Sequence, residues 1–194
     1  RDVDGSTPSY SIVGGADAAL FSIDSATGVL TFNIAPDFEL PADAGADNVY
    51  DVTVQVADGN GGTATQAIAV TVSNVNEAPV ISSGAAVLVA ENQSGAVTVT
   101  SSDVDGGSPV YTIVGGADAA LFSLDSATGA LTFNSAPDFE APADSGADNV
   151  YDVTVQVADG NGGFDTQLLA VRVGNVNEAP LIISSAAVNA AENQ

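Results

Sequence analysis

The side chains with chemical reach in this sequence are carboxylates, and they recur in short, regularly spaced groups. Glu91 stands in Ala-Glu-Asn-Gln, Asp103 and Asp105 in Asp-Val-Asp-Gly, and Asp138 and Glu140 in Pro-Asp-Phe-Glu. Asp159 follows an alternating apolar run, and Asn175, Asn177 and Glu178 lie in Asn-Val-Asn-Glu-Ala-Pro. An Asp-x-Asp pair in a turn points both carboxylates toward one centre. Carboxylate, amide and carbonyl oxygens gathered in this way suit a hard cation such as calcium, which takes about six to eight oxygens at roughly 2.3–2.6 Å. Catalysis fits less well. Asp138 and Glu140 could imitate a glycosidase pair, but the pair is duplicated as Asp37 and Glu39. The chain also has no histidine, the commonest general base, and no cysteine. Asp-Val-Asp-Gly lacks the further acids of an EF-hand loop. Asp-Gly-Asn-Gly-Gly resembles a calcium-binding glycine-rich nonapeptide but occurs singly within each repeat. We therefore expect a non-enzymatic, calcium-binding protein.

These groups sit in an internal repeat. Ser11 to Asn33 recurs as Thr112 to Asn134, and the segments starting at Asn48, Asn74 and Ala90 recur at Asn149, Asn175 and Ala191, each displaced by 101 residues. The phasing predicts three pieces: residues 1–79, a repeat lacking its first strands; residues 80–180, a complete repeat; and residues 181–194, the first strand of a following repeat. The natural protein is expected to continue in both directions.

Composition restricts partners. The chain has 25 acidic residues against two basic ones, Arg1 and Arg172, for a formal charge of -23. Such a surface repels nucleic acid and anionic membranes and attracts cations. With 45% hydrophobic residues the chain can still bury a core. No apolar run approaches the about 20 residues needed to span a bilayer as a helix.

The elements that must hold the carboxylates read as strands. In Tyr151 to Val157 apolar and polar residues alternate, putting Tyr151, Val153, Val155 and Val157 on one face. Asp159-Gly160-Asn161-Gly162-Gly163 supplies a hairpin turn, and a return strand points Leu169, Val171 and Val173 inward and Arg172 outward. Further strands are predicted over residues 87–90, 97–100, 110–114, 121–124 and 130–133. Only Gly-Ala-Asp-Ala-Ala-Leu suggests a helical turn, with Asp118 expected to cap it. Asp125 reads as a turn residue, and Phe122, Phe133, Phe139, Tyr111 and Tyr151 as core. About seven short strands in about 100 residues indicate an all-β fold of tandem Greek-key β-sandwich repeats. The loop from Asn134 to Asp148 is long and acidic, and loops of that length are usually functional.

The order of these motifs resembles that of bacterial cadherin-like repeats, which carry a Glu-Asn, an Asp-x-Asp, an Asp-x-Glu, a strand-end Asp and an acidic linker before Pro. The resemblance covers the whole chain. It implies cadherin-like, immunoglobulin-like sandwiches with calcium at the junctions between successive repeats. The implied first junction takes Asp37, Glu39, Asn74, Asn76 and Glu77 from the leading repeat and Asp103, Asp105 and Asp159 from the following one. Glu91, Asp138, Glu140, Asn175, Asn177 and Glu178 form half of the next junction, while Asp2, Asp4 and Asp58 face the preceding one. Asn74 and Asn175 stand where the animal pattern has Asp. The implied function is a calcium-rigidified structural or adhesive segment of an extracellular surface protein or filament. The partners would be neighbouring repeats, or other copies joined head to tail. The alternative is a ligand-binding adhesion module for carbohydrate or for another repeat.

Overall fold

The computed structural model describes residues 7–182. The chain divides into two compact units, Arg1–Glu77 and Ala78–Gln194. The sites expected at Asp2 and Asp4, and the strand expected in the tail from residue 183, lie outside the described residues.

The first unit contains β1 (Ser9–Gly14), β2 (Phe21–Ile23), β3 (Leu30–Phe32), β4 (Val49–Ala57) and β5 (Thr63–Thr71). β1, β4 and β5 form one antiparallel sheet, and β2 and β3 form a hairpin. The second unit contains β6 (Val80–Ile81), β7 (Ala86–Ala90), β8 (Gly95–Thr98), β9 (Ser101–Ser102), β10 (Val110–Gly115), β11 (Phe122–Leu124), β12 (Ala130–Phe133), β13 (Val150–Ala158) and β14 (Phe164–Gly174). Its larger sheet runs β10-β13-β14-β7, its smaller one β11-β12-β8, and β6 pairs with β9.

Alternation along β13 and β14 builds the core of the second unit. Val153, Val155, Leu169 and Val171 are fully buried, whereas Arg172 on the opposite face is exposed. One face of each strand thus leaves water while the other stays wetted. Phe122 and Phe133 stack with ring centroids 4.5 Å apart, and Tyr151 meets both edge-on at 6.3 and 5.1 Å. Tyr111 is buried and Phe139 packs against the same cluster. β7 adds to β14 in parallel, unlike every other pairing among the described residues, so the start of the repeat closes the sheet begun by its last strand.

Glycine is required where β10 bulges against β13. Gly116 has φ +107°, and a Cβ there would sit 2.4 Å from the Asp152 carbonyl oxygen and 2.5 Å from the Val153 Cα. Only a residue without a side chain lets the backbones approach so closely.

Three local expectations are corrected. The strand expected over residues 97–100 is Gly95–Thr98, and the Val99 N–H instead bonds to the Gly129 carbonyl. Leu121 closes a single 3-10 turn, Ala119–Leu121, rather than opening a strand. Asp118 precedes that turn but makes no side-chain cap bond to it. Its buried carboxylate accepts from Ser145 N at 2.7 Å and Asp152 N at 2.8 Å. A three-residue turn offers few free N–H groups. The Asp118 carboxylate instead fastens the long acidic loop to β13.

Candidate metal centre

That acidic loop positions half of the site. Asp144 is buried and accepts the N–H groups of Asp148 and Asn149, each at 3.0 Å, around a turn with φ +51° at Ala147 and +62° at Asn149. The Asn149 side-chain amide donates to the Phe139 carbonyl at 3.0 Å, and the Tyr151 hydroxyl accepts from Ala143 N at 3.2 Å. The loop is thus a rigid bracket tied to the start of β13. It holds Pro137-Asp138-Phe139-Glu140 at the end of the unit where β7 finishes. The first unit repeats these bonds at Asp17, Asp43 and Asn48.

Glu91 is the hinge pin of this end. It follows directly on β7 and is 2% exposed. Its Oε2 accepts from Phe139 N at 2.8 Å and its Oε1 from Val176 N at 2.6 Å. One carboxylate therefore joins the first strand, the acidic loop and the segment after β14. Around it, Glu140 and Glu178 bring carboxylate oxygens so that all three residues offer one within 4.8 Å of the others. Asn92 donates its side-chain amide to Glu178 Oε1 at 2.8 Å, and the Asn175 side-chain amide donates to Glu140 Oε1.

The electrostatics are those of a site with too few positive charges. The Phe139 N–H, then that of Val176, hold the Glu91 carboxyl below its ordinary value, although burial works against them. Glu140 is pushed the other way, first by burial of its carboxyl and then by the negative charge of Glu91, with Glu178 and Asp138 adding to it. Two neutral amides cannot cancel three converging carboxylates, and mutual repulsion in a partly desolvated site is costly. A divalent cation would remove it. The donor set, all oxygen and no sulfur or imidazole, is that of a hard cation rather than a transition metal.

The sequence-predicted ligands fall into distinct places. Glu91, Glu140 and Glu178 converge. Asn175 joins them through Glu140, while Asn177 lies exposed in the same segment. Asp138 is exposed, and its Oδ1 accepts from Glu140 N at 2.9 Å and Ala141 N at 3.1 Å, so it shapes the turn that presents Glu140. Asp37 does the same for Glu39 and Leu40. Glu39, Asn74, Asn76 and Glu77 are exposed in the first unit. At the opposite end of the second unit's strands, Asp103 and Asp159 line one recess of about 140 Å³ with Ser101 and Gly106. Asp103 also accepts from Asp105 N at 3.0 Å. Asp159 closes the β13–β14 turn by accepting from Asn161 N and Gly163 N, and Asp58 repeats this in the first unit.

Sequence reasoning passed over Asn92 as a site residue, although the Glu-Asn dipeptide that contains it was in view. It also passed over Asp144 and Asn149, whose only signal is Asp-Ser-Gly-Ala-Asp-Asn, a spacing without alternation.

Acid should unfold the metal-free protein. At Asp144 burial is the largest influence and pushes the carboxyl up, but the hydrogen bonds it accepts, first from the N–H groups of Asp148 and Asn149, together outweigh it and leave Asp144 below its ordinary 3.8. Glu91 lies below its ordinary 4.5. A carboxylate with a depressed folded-state pKa stabilises the fold above its unfolded value and loses that contribution as pH falls through the folded one. Glu140 has the opposite sign: its raised value favours folding only while it is protonated, and that advantage is lost as pH rises. The expected result in chelator is a melting temperature that falls as pH drops below the ordinary carboxylate range. Glu140→Gln should raise the melting temperature at neutral pH in chelator yet weaken calcium binding. Thermal melts across pH with both proteins read out both signs.

Comparison with known proteins agrees with this architecture. A family model described as bacterial Ig domain matches residues 76–172. No curated protein sequence matches the chain. Among solved structures the chain is similar to human protocadherin-24 EC1-2, with 20% identity over 92% of this chain and 86% of that one and a TM-score of 0.61. It is also similar to mouse cadherin-23 EC22-24, with 24% identity over 88% of this chain and 53% of that one and a TM-score of 0.55. At such identities these likenesses speak for the fold alone, a β-sandwich of the cadherin-like and immunoglobulin-like kind. The chain belongs to the bacterial Ig domain family, as a cadherin-like, all-β repeat protein.

Proposed function

We propose that the chain is a calcium-rigidified structural and adhesive segment of an extracellular repeat protein, without catalytic activity. The observation that supports this most is the convergence of Glu91, Glu140 and Glu178 at the end of the second unit, with the segment after β14 drawn into it. Calcium there would be held by these three carboxylates, with Asn175 beside them through its bond to Glu140 and Asp138 shaping the turn that presents Glu140. It would cancel the repulsion that raises Glu140 and bind the segment leaving the sandwich to the sandwich itself. A segment so held is stiff, which is what a spacer between successive repeats needs. In an array, residues equivalent to Asp103, Asp105 and Asp159 in a following repeat would supply the remaining oxygens. The duplication of the acidic motifs at a period of 101 residues fits such serial use. Among the described residues no helix is long and apolar enough to cross a membrane. An acidic surface of charge -23 fits a calcium-rich exterior.

Extracellular modules bind calcium with dissociation constants of about 0.1–1 mM, so a calcium level near 10 mM should raise the melting temperature by roughly 5–20 °C. Differential scanning calorimetry in calcium, magnesium and EDTA tests this. Identical melting curves in calcium and EDTA would refute the proposal.

A further inference from the structure

The turn that joins β13 to β14 holds a reactive pair that calcium binding leaves unused. Asn161 precedes Gly162 there, and Asn60 precedes Gly61 in the matching turn of the first unit. Both asparagines are exposed. Only their backbone N–H groups are held, by Asp159 Oδ1 at 2.7 Å and by Asp58 Oδ1 at 2.8 Å. Among the described residues nothing hydrogen-bonds to either side-chain amide, or to the N–H of Gly162 or Gly61. Gly162 has φ +112° and Gly61 +103°, a region that favours glycine. A side-chain carbon built on either would meet nothing within 4 Å, so each glycine nitrogen stands in the open beside a free amide.

Other asparagines differ on both counts. Asn134 accepts from Ser123 Oγ at 2.6 Å and donates to the Ala120 carbonyl at 3.0 Å, and Asn149 donates to the Phe139 carbonyl at 3.0 Å. Asn33 and Asn48 repeat these bonds in the first unit. Each of the four is followed by a residue with a side chain, namely Ser135, Val150, Ile34 and Val49. Their amides are tied down, and the next backbone nitrogen is shielded by its own side chain.

We propose that Asn161 and Asn60 are sites of self-modification, at which the folded chain converts its own asparagine to aspartate and isoaspartate with water as the only co-reactant. The Gly162 nitrogen gives its proton to water or hydroxide and attacks Cγ of Asn161. A Cγ–N bond forms, the bond from Cγ to Nδ2 breaks, and the amide leaves as ammonia, closing a five-membered succinimide. Water then opens the ring at either carbonyl. One opening gives aspartate with the main chain unchanged. The other gives isoaspartate, whose main chain runs through Cγ and is one carbon longer. No oxidation or reduction occurs. Either product adds a carboxylate to a turn that already holds Asp159, as Asn60 does beside Asp58. The isoaspartyl form does more. Asp159 closes the turn by accepting from Asn161 N and Gly163 N, and the extra carbon falls between those two donors. The lengthened link cannot keep both bonds, so the turn loosens and Asp159 is released at the edge of the recess that it lines with Asp103. The step is independent of calcium.

The test is incubation of the 194-residue chain at mildly alkaline pH, folded and in parallel in urea, followed by peptide mapping with mass spectrometry. Isoaspartate is identified by methyl transfer from S-adenosylmethionine with an isoaspartyl methyltransferase. In the folded chain the peptides holding Asn60 and Asn161 should gain the mass of hydroxyl over amino and accept methyl groups, while those holding Asn33, Asn134 and Asn149 stay unchanged. Asn161→Gln, whose longer side chain closes only a less favourable six-membered ring, should lose the signal at that site and leave Asn60 converting. Asn60→Gln should do the reverse. Hydrogen exchange at the Gly163 amide should be faster in the isoaspartyl form than in fresh protein. Asn60 and Asn161 intact in the folded chain under conditions that convert them in urea would overturn the proposal, as would equally fast conversion of Asn134 or Asn149.

Discussion

Glu91→Gln is expected to weaken calcium binding by the second unit by at least about tenfold, because calcium affinity is tuned by the charge count of its ligands. The substitution keeps the size of the side chain and one good acceptor. It removes the charge around which Glu140 and Glu178 gather, and it places an amide NH₂ against the N–H of Phe139 or Val176, both of which need an acceptor. Two consequences separate in measurement. Calcium titration by calorimetry should show the lost affinity. Limited proteolysis should show faster cleavage between Gly174 and Pro180, since the anchor of Val176 is gone, and calcium should no longer slow that cleavage. Asp138→Asn serves as the comparison. Asp138 shapes the turn through its Oδ1, an atom the amide preserves, so its effect on affinity should be smaller.

Asp118→Ala should be the most damaging single change away from the candidate metal centre. It would leave Ser145 N and Asp152 N without the buried carboxylate that accepts from them, in a part-buried setting. A fully buried donor stripped of its partner costs about 1–3 kcal/mol, so two part-buried ones together cost about 2–4 kcal/mol. For a unit of this size that is a fall in melting temperature of roughly 10–30 °C. Asp118→Asn retains one acceptor and should lose about half as much. Because the acidic loop carries Glu140, calcium affinity should fall along with stability. Asp17→Ala should act in the same way on the first unit, whose carboxylate holds Ala44 N and Asp51 N at 2.7 Å each. Thermal melts of the three variants, with calcium titrations of those still folded, check the ranking.

The strands were legible in the sequence because burial on one face forces alternation. Tyr151, Val153, Val155 and Val157 needed no other signal, and the Asn-Gly turn that follows them is a local device with a local signature. The converging carboxylates were legible for a different reason. Glu91, Glu140 and Glu178 lie far apart in the chain but each recurs in a fixed motif, so repetition marked them where spacing could not. Asp118 was read wrongly because an Asp before a helical turn is a cap by local rules. The tertiary alternative, bonding 27 and 34 residues away, has no local trace. Asp144 was overlooked for the same reason, since its role depends on positive φ at Ala147 and Asn149, which their residue types do not announce. The end of β8 was misplaced by two residues because Val97 to Thr100 alternates well, but the Val99 N–H turns to the Gly129 loop. Local chemistry was readable throughout, whereas side chains that act across the fold were readable only when repetition flagged them.

The most direct measurement is a crystal structure of the chain grown in calcium, with the ion identified by its anomalous signal. The account predicts calcium bound to oxygens of Glu91, Glu140 and Glu178 at roughly 2.3–2.6 Å, with the Val176 bond to Glu91 retained. Those three carboxylates splayed into solvent with no ion among them, in crystals saturated with calcium, would contradict it.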